Sequence, residues 1–429
     1  MRKNWNKHLA IAASGLAMLS IAPSASAGEI VYWSMWNEQE PAAKEIAALA
    51  KKYMKSHPDT KITINWNGRQ NQVKVRTALN GGTAIDLIDG ELDNLAGGLV
   101  TAGQAIPFDT LLDTAGPDGE AKFRDLFLPA ALDVAKHNGK VYQIPYDYNP
   151  YAFYYNKKMW TEAGVTAAPK TWDELLAALE KVKAAGHNGL AVESDAGVYN
   201  IKYLTYMLER LRGPDFLMKA VEDKSGETWK DPAVLEAMTK LRVLWTKGYI
   251  PEDSRGFQWP AAQQTIGLGD TSGELVGSWL PIELRDTAGP DFKWGTVPFP
   301  TVDGKGDTTH VEVLLVSYVI LATSKNQAEA QDFIKFMLSR DSQQEYSTVA
   351  LRPGVNKSVE WVKELADVRT IAASATLLLA EDDGVKAKYP DFVSNVLEPV
   401  NNKAFLGDLT PAQFVDELAS RTKNYWASK

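Results

Sequence analysis

Several stretches of this chain end in clusters of polar and aromatic side chains whose types could do chemistry. They are Trp36, Asn37, Glu38 and Gln39; Asn67, Arg69, Gln70 and Asn71; Asp89, Glu91 and Asp93; Tyr146, Asp147, Tyr148 and Asn149; and Trp279. Two carboxylates flanking Gly90, Asp89 and Glu91, could be the acid and base of a glycosidase. They could equally be hydrogen-bond acceptors lining a cleft, and binding is the reading adopted. The five histidines are His8, His57, His137, His187 and His310, none with a second histidine four residues on, so the helical zinc-protease pattern is missing. No G-x-S-x-G elbow, Walker A loop, G-x-G-x-x-G fingerprint or Asp-Xaa-Asp-Xaa-Asp calcium loop occurs. The expectation is a non-enzymatic binding protein with no cofactor and no metal.

The chemistry these clusters suit is sugar recognition. Ring hydroxyls want planar polar side chains that accept and donate in pairs. The apolar C–H face of the ring wants an aromatic plane. Loops are polar in any protein, so no single residue decides the matter; the set does.

The elements that must position them follow from periodicity. Strands are expected at 29–33, 61–66 and 84–88, alternating with helices that begin at Pro41 and near Gln70. This β-α-β-α-β order implies a parallel sheet covered by helices. Ligands of such sheets bind outside the carboxyl ends of the strands, where the clusters fall. Further strands are expected at 140–144, 152–155, 275–279, 293–297 and 311–322. The run Pro145–Tyr151, bracketed by prolines, reads as a linker or crossover, and Pro298-Phe299-Pro300 as a second. From Thr171, an N-cap with Glu174 completing a capping box, the pattern is mostly helical. A last helix is expected over 410–426, capped by Thr410 with Pro411 in its first turn.

The start of the chain and its composition bound the setting. Arg2, Lys3 and Lys7 precede an apolar stretch, Leu9–Ala22, and Ala25-Ser26-Ala27 offers a cleavage site, the three-part signature of a secretory signal. The stretch is 14 residues long, and a span needs roughly 20. Removing residues 1–27 takes away three of the 46 basic residues and none of the 54 acidic ones, leaving 43 against 54. That balance argues against nucleic acid or anionic lipid as partners. No later segment is apolar enough to span a bilayer, so stable membrane insertion is not expected. The chain has no cysteine, hence no disulfide, no thiolate metal site and no lipid attachment after the signal. A periplasmic, untethered monomer is expected. Twelve of the 13 tryptophans lie beyond the signal, several in polar loops.

From residue 28 onward the chain resembles the extracellular solute-binding proteins of carbohydrate ABC importers, the group that includes maltose-binding protein. The resemblance is carried by IVYWSMWNEQEP at 30–41, GGTAIDLI at 81–88, HNGKVYQIPYDYNPYAFYYNKKMW at 137–160, PKTWDELLAAL at 169–179, IGLGDTSGELVGSWLP at 266–281, KWGTVPFPTVDGKG at 293–306 and SKNQAEAQDFIKFML at 324–338. The family usually has Pro before the Asp of the third strand; here Ile85 precedes Asp86. The resemblance implies an α/β fold of two lobes, each a mainly parallel sheet flanked by helices, joined by a multi-segment hinge. The implied first lobe is 28–146 with 299–346, and the second 147–298 with 347–429. It implies a mono- or oligosaccharide held between the lobes by Trp36, Asn37, Glu38, Asp89, Glu91 and Asp93, with Asn149 at the hinge and Trp279 stacking on sugar. Glu312 and Arg352 fall in loops that often face the cleft, while Arg69, Gln70 and Asp147 join the set from the strand-end clusters. Closure by hinge motion would present the loaded form to the permease subunits of an importer. Rival readings are a secreted carbohydrate-active enzyme and a same-fold binder of another solute. An anionic or amino sugar stays open, since Arg69 and Arg352 could meet an acid and the acidic loops an amine.

Overall fold

The computed structural model describes residues 28–429, so the leader expected over residues 1–27 lies outside the described residues. Nine strands form the main sheet: β1 (Gly28–Ser34), β2 (Thr60–Trp66), β3 (Leu87–Glu91), β4 (Ile144–Asn156), β5 (Asn188–Leu190), β6 (Thr271–Gly277), β7 (Trp294–Val297), β8 (His310–Ile320) and β9 (Leu377–Leu379). Their order is β2-β1-β3-β8-β4-β6-β5, with β9 on β8 and β7 on β4. The parallel pairings expected from the β-α-β order are present: β1 with β2 and β3, and, in the other half, β5 with β6. The two long strands β4 and β8 add antiparallel pairings to each other and to their other neighbours β3, β6 and β7.

Local sequence explains the elements. The helix Pro41–Ser56 has proline in its first turn and buries Ala43, Ile46, Leu49, Ala50 and Tyr53 at helical spacing. The helix Trp172–Ala184 carries the expected capping box between Thr171 and Glu174, and Pro411–Ala427 carries one between Thr410 and Gln413. Two large apolar clusters result. One holds Ile30, Ile46, Tyr146, Phe333 and also Trp361 and Val368; the other holds Leu179, Leu204, Met207, Trp229, Leu241 and Phe405.

One sequence expectation is corrected here. The proline-bracketed run 145–151 is no linker: it is the middle of β4, which pairs with β8 through Pro150 and with β6 from Tyr151. Proline donates no ladder hydrogen bond and reads as a strand breaker. Pro145 is tolerated because the register shifts between Val316 and Ser317 at that point, and the Tyr148 amide turns away from β8 to Pro353 O at 2.8 Å. The crossover is therefore a strand shared by both halves of the sheet. Trp279 likewise lies beyond its strand, which stops at Gly277, and begins a short helical turn. Among the described residues no helix is long and apolar enough to cross a membrane.

Candidate functional site

A cavity of about 300 Å³ opens where β1 and β3 end and where β4 and β8 cross. Its walls come from distant parts of the chain: Met35, Trp36, Arg69 and Glu91; Tyr151, Tyr199, Trp259, Trp279 and Glu283; and Arg352, Glu381 and Lys386. A larger cavity of about 650 Å³ lies at the opposite ends of β1 and β3, beside Glu29, Asp86 and Ser324. There Asp86 is used internally, accepting from the Val31 amide at 2.9 Å and from Ser324 Oγ at 2.6 Å. The carboxyl ends of parallel strands are the ligand side of such sheets, which favours the smaller cavity.

Five residues singled out from sequence meet in this cavity: Trp36, Arg69, Glu91, Trp279 and Arg352. Trp36 is almost fully buried, and its Nε1 donates to Tyr146 Oη at 2.8 Å. Its ring has the Arg69 guanidinium 4.8 Å from its centroid and that of Arg352 at 5.1 Å. Arg69 forks onto Glu40 at 3.0 and 2.8 Å and donates to Met35 O at 3.0 Å. Arg352 forks onto Asp147 at 2.7 and 3.2 Å. Trp279 meets Tyr151 edge-on at 5.4 Å and Tyr199 tilted at 5.9 Å, and its Nε1 has no partner among the described residues.

Five others lie beneath the cavity floor. Asp89 is 0 % exposed. It accepts from the Met35 amide at 2.6 Å, Ser34 Oγ at 2.9 Å, Tyr146 Oη at 2.9 Å, and also from Tyr32 Oη. Burial lifts its pKa to about 6 against those donors. Asp147 holds Arg352, Tyr346 and Asn149, and Asn149 accepts from Ser278 Oγ at 3.1 Å. Glu312 accepts from Lys202 Nζ and Thr205 Oγ1, both at 2.7 Å. Asp93 accepts from the Glu381 amide at 3.1 Å, while its Oδ1 has no partner among the described residues. Burial and the neighbouring Glu381 carboxylate raise Asp93 to about 8. Lys202 and Lys386 complete this buried ion cluster: Lys202 reaches Glu312, Asp382 and Glu381 at 2.7, 2.8 and 3.4 Å, and Lys386 reaches Glu381 and Glu91 at 2.8 and 3.4 Å.

The remaining three, Asn37, Glu38 and Gln70, are exposed and are not among the residues lining the cavity. The chain leaves β1 and turns at once toward the helix at Pro41, so Asn37 spends its amide groups on Glu40 at 2.9 and 2.6 Å. Reasoning from strand ends missed Tyr151, Tyr199, Trp259, Glu283, Glu381 and Lys386. Trp259 is 50 % exposed and carried the same signal as Trp36, a tryptophan in a polar loop. Glu381 and Lys386 come from a stretch with no pattern pointing at the cavity.

The model of the bacterial extracellular solute-binding protein family matches residues 36–344. The diacetylchitobiose binding protein NgcE of Streptomyces coelicolor is 26 % identical over 284 residues, 65 % of this chain and 59 % of that protein. The lactose-binding protein of Rhizobium radiobacter is 25 % identical over 339 residues, 77 % of this chain and 75 % of that protein. Among solved structures, the sugar-binding protein MalE of Xanthomonas citri superposes with a TM-score of 0.76 at 16 % identity, covering 93 % of this chain and 98 % of that one.

Proposed function

The chain belongs to the bacterial extracellular solute-binding protein family, and from that premise we propose that it is the substrate-binding component of a carbohydrate ABC importer. It captures a mono- or oligosaccharide in the cavity and delivers it to membrane permease subunits. The lobes that close on the sugar are 28–146 with 299–346 and 147–298 with 347–429. The protein acts as an untethered periplasmic monomer and catalyses nothing.

The observation that carries this reading is the convergence of Trp36, Trp259 and Trp279 with pre-paired polar groups at the carboxyl ends of β1 and β3. Indole faces suit sugar C–H faces, and fixed acceptors and donors suit hydroxyls. Relatives named for diacetylchitobiose and lactose binding point to the same ligand class. The hydrolase alternative is disfavoured by the state of its proposed pair. Asp89 is sealed beneath the floor with four donors on it, so it cannot flank a glycosidic bond opposite Glu91.

The test is a thermal-shift screen over mono- and oligosaccharides, followed by calorimetry and product analysis of the best hit. A ligand that binds only the folded state at 100 times its Kd adds about 2.7 kcal/mol of stability. The expected result is a raised Tm with the sugar recovered intact. A screen in which no sugar raises Tm, or a hit that is hydrolysed, overturns the proposal.

A further inference from the structure

The sequence leaves open whether the ligand is charged, because Arg69 and Arg352 could receive an acid. We propose that the cavity excludes anionic ligands, and that Glu40 and Asp147 enforce this by neutralising the two guanidiniums; the proposal deepens the sugar reading and, for sugars, rests on it.

Three cations line the cavity: Arg69, Arg352 and Lys386. Glu40 takes Arg69 through both of its oxygens, at 3.0 and 2.8 Å, and a third bond runs to Met35 O. Asp147 takes Arg352 the same way, at 2.7 and 3.2 Å. Planar forks of this kind neutralise the guanidinium and take up part of its five donors, so neither arginine keeps an unbalanced charge for a carboxylate or phosphate. Lys386 is held by Glu381 and Glu91. Glu283, a fifth acid, lines the wall and, among the described residues, accepts only an amide, Gln263 Nε2 at 3.1 Å. Among these eight residues five carboxylates thus stand against three cations; the adjoining cluster adds Lys202 but also Asp93, Glu312 and Asp382. An anion entering it meets guanidiniums whose charge is already balanced by carboxylates, and it sits among further carboxylates with no cation left over to pair it, which is unfavourable. A neutral hydroxyl needs no such cation, because it can share a carboxylate lone pair without displacing the guanidinium.

The selectors stand outside the contact surface: neither Glu40 nor Asp147 lines the cavity. They set specificity by neutralising the residues that do.

The experiment compares matched pairs on the full mature chain: glucose with glucuronate, galactose with galacturonate, and cellobiose with its uronate. Phosphate and citrate form a third arm. Thermal shift finds the binders and calorimetry gives Kd. The expected result is binding of a neutral sugar, its uronate weaker by about 100-fold or more, the cost of several kcal/mol for like charges, and no response to phosphate or citrate. Glu40→Gln should narrow the neutral-to-uronate ratio by about 10-fold, and Asp147→Asn is the second variant should that one fold poorly. A uronate within about 10-fold of its neutral partner, a shift with either inorganic or organic anion, or a ratio unmoved in both variants overturns the proposal. A screen in which neither sugar set binds overturns the sugar reading instead, and the phosphate and citrate arm then still decides the matter of charge.

Discussion

Two buried polar networks flank the cavity, and they are built on opposite principles. On one side a single carboxylate, Asp89, is held by neutral donors: a backbone amide, a serine and two tyrosines. On the other, Lys202 and Lys386 stand among Glu91, Asp93, Glu312, Glu381 and Asp382. The first network is directional and carries its order into the site, since Tyr146 both donates to Asp89 and receives the indole of Trp36. The second depends on charge balance, and with two ammoniums for five carboxylates it is short of positive charge. Burial first, and the Glu381 carboxylate second, raise the pKa of Asp93, and a proton there relieves the shortage; that of Glu381 falls despite burial because both lysines stand beside it. The same cavity is therefore propped by a hydrogen-bonded hub on one wall and by a titratable cluster on the other.

The contrast is broken most directly at Lys202. Removing this fully buried ammonium leaves Glu312, Glu381 and Asp382 facing one another. Lys202→Met should cost about 3–5 kcal/mol, the usual penalty for stranding buried charge. Chemical denaturation at neutral pH measures it, and part of the loss should return on acidification as the stranded carboxylates protonate. A loss below 1 kcal/mol would mean the cluster is not electrostatically held.

The pH dependence of stability separates the two networks next. Both Asp93 and Asp89 are raised in the folded state, so each favours the fold when protonated. That contribution is complete below the unfolded carboxylate pKa and is lost as pH rises through the folded value. For Asp89 the loss falls below about pH 6; for Asp93 it continues to about 8. Glu381, lowered instead, is already ionised throughout this upper range. Denaturation midpoints should therefore fall between pH 6 and 8, with a slope of at most about 1.4 kcal/mol per pH unit for one proton. Asp93→Asn should flatten that segment, and below pH 6 it should leave only the slope that Asp89 and the other raised carboxylates supply. An unaltered slope would show that the proton lost in this range is not on Asp93.

How far all this was legible in the sequence depends on the kind of signal. The parallel core of β1, β2 and β3, with its helices, follows from local periodicity, and so do the capping boxes at Thr171 and Thr410. The path of β4 does not, because two prolines imitate a linker and the register shift that accommodates Pro145 lies in the pairing with β8, which local sequence does not show. At the site, tryptophans and acids after strands were visible as types. Which face the cavity was not: Trp36 and Asn37 are adjacent, yet one is sealed into the wall and the other turns out with the chain. Lys386 and Glu381 reach the site only because residues 381–388 pack against the segment after β3, a contact across nearly 300 residues that no spacing rule reveals.

The smallest effect gives the finest comparison: deleting one hydroxyl donor from each network. Ser34→Ala removes one of four donors from Asp89, and the Met35 amide, Tyr32 and Tyr146 remain to satisfy it. Thr205→Val removes the protein donor to Glu312 Oε2, leaving that oxygen bare while Lys202 and the Asp382 amide stay on Oε1. A lost hydrogen bond to a carboxylate costs about 1.5–3 kcal/mol when the acceptor is stranded, and less when other donors can tighten onto it. Ser34→Ala should therefore fall near 1 kcal/mol and Thr205→Val clearly above it, both read from urea midpoints at pH 7 with unchanged m-values. The order matters more than the sizes. If Ser34→Ala proves the costlier, the donors on Asp89 act as one cooperative unit and the hub is the more brittle wall of the cavity. If the two are equal, Lys202 and the Asp382 amide on Oε1 satisfy Glu312 without a donor on Oε2.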